Sequence, residues 1–248
     1  MSETDLGADA RAARAELERL LEGSVLHLPA DFLSRAEDFV ARLLDANRLL
    51  NLTRVVEPAD VARLHLLDSL AALPIIDAMT ARRACDLGSG AGVPGMVLAL
   101  ARPEVEWTLV DSVRKKAAAM QSFAEALELS NVSVLAERAE IMGRNPRFRE
   151  SFDLVTARAC AALPVLVEYA LPLVRVGGSV VAWKGRISDD ELEGGGAAAT
   201  ELGGGEPVVL PTAFEALGGH RFVVVPKVRP TADRFPRRPG EASRRPLG

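Results

Sequence analysis

Residues 86–95 read Asp86-Leu87-Gly88-Ser89-Gly90-Ala91-Gly92-Val93-Pro94-Gly95, and this stretch decides the fold. It begins at the end of a short apolar segment, Arg83-Ala84-Cys85-Asp86-Leu87, and opens a helix expected over 95–101. Glycines between a strand and a helix let the main chain turn sharply and let a ligand approach the backbone. In an open parallel sheet, ligands bind at the carboxyl ends of the strands, where such a loop lies. Nineteen residues beyond Gly92, Asp111 closes a second strand. A carboxylate there can accept both hydroxyl hydrogens of a ribose.

Two ligand classes use this geometry. Gly90, Gly92 and Gly95 satisfy G-x-G-x-x-G, the dinucleotide fingerprint, so a nicotinamide or flavin enzyme competes. Two features point elsewhere. Asp86 stands just before the first glycine, where a pyrophosphate gains nothing from a negative charge but the sulfonium and ammonium of S-adenosylmethionine do. The glycines also start at Gly88, giving Asp-x-Gly-x-Gly-x-Gly, the acidic variant typical of class I methyltransferases.

Working outward, strands are expected at 106–111, 132–135, 152–156, 179–183, 207–210 and 221–226, and helices at 95–101, 113–128 and 161–174. Strands alternating with helices at this spacing mean βαβ units. The fold class is therefore α/β, a doubly wound, mainly parallel, Rossmann-like sheet. The last strands lack a strong intervening helix, which an antiparallel edge would explain. Upstream, helices are expected at 9–22, at 30–46 with Phe32, Ala36, Phe39, Val40, Leu43 and Leu44 on one face, and at 58–73 with Val61, Leu64, Leu67 and Leu70 at helical spacing. Residues 1–78 are thus expected to form an N-terminal helical extension, 79–228 the α/β domain, read from its acidic glycine motif as a methyltransferase domain, and 229–248 a basic tail. Residues 194–205, GGGAAATELGGG, read as a flexible surface loop.

At 248 residues and 48% apolar composition the chain can bury a substantial core. The net charge of −4 argues against a generic nucleic-acid binder, but the tail is basic, with Arg229, Arg234, Arg237, Arg238, Arg244 and Arg245. It is read either as a local patch for phosphates or as a solvated, partly disordered end. Cys85 and Cys160 belong to no Cys/His cluster, so no metal site is expected. Two isolated thiols, an N-terminus without an apolar stretch and no apolar run of about 18 residues fit a cytoplasmic protein. Cys160 reads as a small core residue.

The blocks Asn51-Leu52-Thr53, His65-Leu66-Leu67-Asp68-Ser69, 86–95, Thr108-Leu109-Val110-Asp111-Ser112 with Lys115 and Lys116, Arg138-Ala139-Glu140, Ala157-Arg158-Ala159, Lys184-Gly185 and Phe235-Pro236-Arg237 follow in a specific order. In that order the chain resembles the small-subunit ribosomal RNA methyltransferase G family, also called glucose-inhibited division protein B. The resemblance implies S-adenosylmethionine as cofactor and methylation at N7 of a guanine in 16S rRNA, within the small subunit. It implies that Gly88, Val93, Ala139, Glu140 and Arg158 line the cofactor site. Family members often carry Trp at the position of Ala46 and a basic residue at that of Gln121.

Guanine N7 has a lone pair and no proton, so its methylation needs no general base. That fits a sequence without a Ser/His/Asp or Cys/His signature. Arg138 and Arg158 follow strands and are the candidate catalytic residues, acting on guanine O6, a phosphate or the cofactor carboxylate. Arg158 stands among small residues, whereas Arg138 has Glu137 and Glu140 beside it and also reads as a structural ion pair. The cofactor candidates are Asp86, Gly88, Gly90, Val93, Asp111, Ala139, Glu140 and Arg158; the RNA candidates are Lys115, Lys116, Lys184 and Arg237. His65 and Asp68 share a helix face and read either as part of the site or as a pin between the extension and the core. A nicotinamide-dependent oxidoreductase and a non-catalytic RNA-binding module remain the rival readings.

Overall fold

The computed structural model describes residues 3–248, with side chains from residue 6 onward. Helices α1 (Glu3–Leu20) and α2 (Phe32–Leu50) open the chain. Leu6, Ala10, Ala13 and Leu17 of α1, and Phe32, Ala36, Phe39, Val40, Leu43 and Leu44 of α2, are buried, as the helical spacing requires. Asn51 ends α2 in the left-handed region at φ 49°, which places the turn expected at Asn51-Leu52-Thr53.

The next helix departs from α geometry. It runs as α3 (Pro58–Asp60), a π-helical stretch (Val61–Leu67) and α4 (Asp68–Leu70), followed by α5 (Leu73–Ala78). Each residue of a π-helix turns the chain less than in an α-helix, so the α-helical face drifts. Leu64, expected among the core leucines, is only half-buried, whereas His65 is buried.

The sheet is built from β1 (Arg83–Leu87), β2 (Glu106–Val110), β3 (Val132–Leu135), β4 (Phe152–Arg158), β5 (Val174–Lys184), β6 (Val208–Pro211) and β7 (Arg221–Pro226). Their order is β3-β2-β1-β4-β5-β7-β6. Pairs from β3 to β5 are parallel, while β5–β7 and β7–β6 are antiparallel, the edge that the missing helix suggested. Four consecutive residues of β1, Ala84 to Leu87, are buried, as befits a strand covered on both faces. Strand order reverses between β1 and β4, and the crevice outside their carboxyl ends is where such sheets take ligands.

Helices α6 (Gly95–Ala101), α7 (Arg114–Ala126), α8 (Ala139–Met142), α9 (Leu163–Ala170), α10 (Asp189–Glu201) and α11 (Glu241–Arg244) complete the layers. One core cluster joins α1, α2, α6 and α7; Phe39 and Phe123 meet edge-on there at 6.0 Å. The other joins β4, β5, α9 and α10. No helix among the described residues is long and apolar enough to cross a membrane.

The glycine-rich stretch expected to be a loop is largely helical and forms the body of α10. Ser188 accepts the Glu191 N–H at its start, and Asp189, Asp190 and Glu191 occupy the first turn, where carboxylates suit the helix dipole. Gly195 lets α10 lie against α9, since a Cβ there would overlap the Leu163 side chain. Tertiary packing overrides the poor helix propensity of glycine.

Candidate active site

Two cavities adjoin at the carboxyl ends of the parallel strands. The first, about 300 Å³, is lined by Gly88, Asp111 and Ser112 from the loops after β1 and β2, by Arg138, Ala139 and Glu140 at the start of α8, and by Tyr169. The second, about 410 Å³, is lined by Leu64, His65 and Asp68 of the extension, Arg158 of β4, Trp183 and Lys184 of β5, and His220. Cys160 lines both. A third cavity of about 430 Å³ lies beside Asp77, Arg82 and Arg102, where the strands begin, and no glycine loop faces it.

The glycine loop is held by hydrogen bonds to its own neighbourhood. Gly88 and Gly90 have φ of 68° and 55°, a conformation that costs glycine nothing. Both Gly88 N–H and Ser89 N–H donate to the Val110 carbonyl, at 2.8 and 3.0 Å. Asp111 is nearly buried; its carboxylate accepts the Gly90 N–H at 3.0 Å and the Val113 N–H at 2.8 Å. Each oxygen keeps a lone pair for a further donor. Gly90 thus anchors the Asp111 carboxylate and is not among the residues that line the cavity. Val93, expected at the cofactor, is buried in the first core cluster and does not line the cavity.

Asp86 is also corrected. Rather than facing a ligand's positive charge, it is fully buried beneath the loop, accepting from Thr156 Oγ1 at 2.7 Å and from the Gly95 N–H at 3.2 Å. Burial pushes its pKa up to about 6, against the hydrogen bonds from Thr156, Ser89 and Gly95 that favour the charge. The position discriminates between ligands. In a dinucleotide site the helix N-terminus faces the pyrophosphate. Here Asp86 already occupies it, and the cavity walls carry Asp111, Glu137 and Glu140, with Lys116 and Arg138 as the cations. Glu140 is buried, with Oε1 accepting from Gly240 N–H and Arg138 Nη2, while Oε2 has no donor among the described residues. A glycine wall, a ribose-class carboxylate and an open acceptor fit the adenosyl moiety and cationic groups of S-adenosylmethionine.

Arg158 lines the second cavity, not the first, and it does stand beside an acid. Its Nη1 donates to the Leu64 carbonyl and, at 3.1 Å, to Oδ2 of buried Asp68; its Nη2 lies 3.4 Å from His65 Nδ1. Asp68 is 90 residues away in sequence, so sequence proximity hid the pair. His65 reaches Thr53 Oγ1 through Nε2 at 2.9 Å. Burial first, and then the Arg158 charge, lowers its pKa to about 4, so the ring is neutral at pH 7. Asp68 Oδ1 binds His220 Nδ1 at 2.9 Å, and its backbone carbonyl accepts from Trp183 Nε1. The chain Thr53–His65–Arg158–Asp68–His220 thus ties the extension to β4 and to the start of β7. His220 was missed by the sequence reading. Its only signal is rarity, since the chain has 3 histidines.

Other candidates fall differently. Lys115 is exposed, and Lys116 lines the rim of the first cavity. Arg138 is half-exposed at the same rim, 3.4 Å from Glu140. Lys184, expected to meet RNA, instead has its ammonium engaged by Glu191 at 2.7 Å and by the Ala161 carbonyl. Arg237, also expected to meet RNA, is clamped on buried Glu168, with backbone N–H and Nε both 2.9 Å from Oε1. Cys160 is exposed between the cavities rather than in the core. No group of three or more His, Cys, Asp or Glu among the described residues comes together to hold a metal.

The chain is similar to known proteins in sequence and in fold. Residues 33–213 match the family described as rRNA small subunit methyltransferase G. The ribosomal RNA small subunit methyltransferase G of Deinococcus deserti is 42% identical, over 94% of this chain and 97% of its own length. Those of Roseiflexus castenholzii (41%, over 94% and 99%) and Moorella thermoacetica (37%, over 89% and 92%) are similar. Among solved structures, the CurJ carbon methyltransferase shares the fold at TM-score 0.53 and 15% identity, over 87% of this chain and 71% of that one. A proposed S-adenosyl-L-methionine-dependent methyltransferase of Methanococcus maripaludis shares it at TM-score 0.52 and 15% identity, over 66% and 86%. The chain belongs to the rRNA small subunit methyltransferase G family.

Proposed function

We propose that this protein transfers the methyl group of S-adenosylmethionine to N7 of a guanine in the 16S RNA of the small ribosomal subunit, working in the cytoplasm. The observation that carries the reading is the pair of cavities divided by Cys160, one with carboxylates and a glycine wall, the other with a fixed guanidinium. When bound, S-adenosylmethionine supplies a methyl carbon made electrophilic by its sulfonium.

The chain's own task is alignment and charge. Gly88, Asp111, Ala139 and Glu140 form the walls that hold the cofactor, and Asp86 keeps the loop in shape from beneath. Arg158, fixed by the Leu64 carbonyl and Asp68, offers a fork to guanine O6 or to a phosphate. Asp68 balances the charge of Arg158, and the buried His65 ring is neutral, so this pair and this ring add no net positive charge beside a base that becomes positive on methylation. Arg138 and Lys116 at the rim, with exposed Lys115 next to Lys116 in the chain, bind RNA phosphates, contacts that position without reading sequence.

The cofactor half of the reading is tested by thermal shift with S-adenosylmethionine, S-adenosylhomocysteine, NAD and NADP. A ligand at about 100 times its dissociation constant stabilises by about 2.7 kcal/mol. Stabilisation by the first two alone is expected. Stabilisation by NAD or NADP alone would replace this reading with the oxidoreductase.

A further inference from the structure

The basic C-terminal segment touches the first cavity. Arg237 clamps Glu168, Gly240 donates its N–H to Glu140 Oε1 at 2.8 Å, and the Ser243 hydroxyl lies 2.8 Å from Tyr169 Oη. Glu140 and Tyr169 both line the cavity. Pro236 also presses on the end of α8, the helix that carries Glu140: a Cβ at Gly143 would lie 2.9 Å from Pro236 Cγ. Glu140 is 4% exposed, and its Oε2 has no donor among the described residues. A buried carboxylate with one oxygen held and the other open takes its orientation from the group that holds it.

We infer that residues 237–243 are a positioning strap of the cofactor cavity, in which Gly240 fixes Glu140 so that its second oxygen is presented to a hydrogen-bond donor of the cofactor. The inference rests on the cofactor reading above. Without the strap Glu140 keeps only the longer, 3.4 Å contact from half-exposed Arg138 and regains rotamer freedom, which the ligand must then remove on binding. The basic residues Arg238, Arg244 and Arg245 stay exposed on the outer side of the segment.

The test is calorimetric titration of S-adenosylhomocysteine into four proteins. They are the natural chain, Gly240→Pro, which lacks the N–H and cannot adopt the φ of 80° found at Gly240, Glu140→Gln, and the combination. Gly240→Pro is expected to weaken binding about 10-fold in the natural background. It should add little once Glu140 is Gln, because Gln still accepts the Gly240 N–H but carries an NH2 in place of the second oxygen, so the strap no longer has an acceptor to present to the cofactor. Unchanged affinity in Gly240→Pro, or an equal loss in both backgrounds, overturns the strap. If Gly240→Pro does not fold, Ser243→Ala in the natural chain serves instead. About a 3-fold loss is then expected, and no loss overturns the proposal. A natural chain without affinity for S-adenosylhomocysteine overturns the cofactor reading itself.

Discussion

Asp68→Asn changes one oxygen to nitrogen in the buried centre of the second cavity. The carboxylate accepts from Arg158 Nη1 at 3.1 Å and binds His220 Nδ1 at 2.9 Å. Hydrogen bonds to charged groups contribute about 1.5–3 kcal/mol and neutral ones about 0.5–1.5, so two bonds losing their charge cost about 2 kcal/mol. Breaking a buried ion pair outright costs about 3–5 kcal/mol. Arg158 falls short of that because its side chain is 19% exposed and keeps the Leu64 carbonyl. At about 2–4 °C per kcal/mol for a chain of this size, the melting temperature should fall by about 4–8 °C. The kinetic effect should be larger than stability alone suggests. A guanidinium that shifts misaligns the base, and small misplacements cost up to about 100-fold in rate. The assay pairs single-turnover methyl transfer to unmodified small subunits with S-adenosylhomocysteine titration. Asp68 does not line the cofactor cavity, so the rate should drop while cofactor affinity holds. An unchanged rate, or an affinity loss as large as the rate loss, would refute the division of labour between the cavities.

Three further substitutions probe the frame. His65 has a folded pKa of about 4 against an unfolded value near 6.5, so the stability it confers is present above pH 6.5 and lost as pH falls toward 4, by up to about 3 kcal/mol. Asp86, raised to about 6, works in the opposite sense, its contribution present below about pH 4 and lost as pH rises through 6. His65→Gln should therefore gain stability relative to the natural chain between pH 6.5 and 4 in urea melts, and a pH-independent difference would contradict the buried neutral ring. Asp111→Asn should weaken S-adenosylhomocysteine binding about 10–100-fold by calorimetry, because the carboxylate orders the Gly90 amide as well as facing the cavity. Gly95→Ala should destabilise by about 1–3 kcal/mol although helix propensity favours Ala by about 1, since its Cβ would lie 2.8 Å from Asp86 Oδ2 and overlap Leu109; a more stable variant in denaturant titration would show that the loop can move.

The sheet, the glycine loop and the antiparallel edge were legible because each is local: period, turn chemistry and the run of apolar residues are written in adjacent positions. So was Asp111, at the end of its strand. Two kinds of feature were not. Helix α10 depends on a groove that Gly195 makes with Leu163, and composition alone does not reveal a partner surface. Pairings across long stretches of chain were equally hidden. Arg158 meets Asp68, Arg237 meets Glu168, and His220 meets Asp68 only after folding, so net charge counted along the sequence assigned Arg237 to RNA when it belongs to a buried clamp. Asp86 shows the subtler limit. Its position beside the glycines was informative, but the side chain faces inward and holds the Gly95 amide and the Thr156 hydroxyl.

Transfer of a radiolabelled methyl group from S-adenosylmethionine onto small subunits lacking the modification, with chemical cleavage at 7-methylguanine to map the product, tests the assignment most directly. One methyl group per subunit is expected, on a 16S guanine, with strand scission at that base. The rate should fall steeply with salt, because phosphate contacts release counterions. Label on another atom, on another base or on protein, or no label with subunits that a second methyltransferase can still modify, would contradict guanine N7 methylation as the activity of this chain.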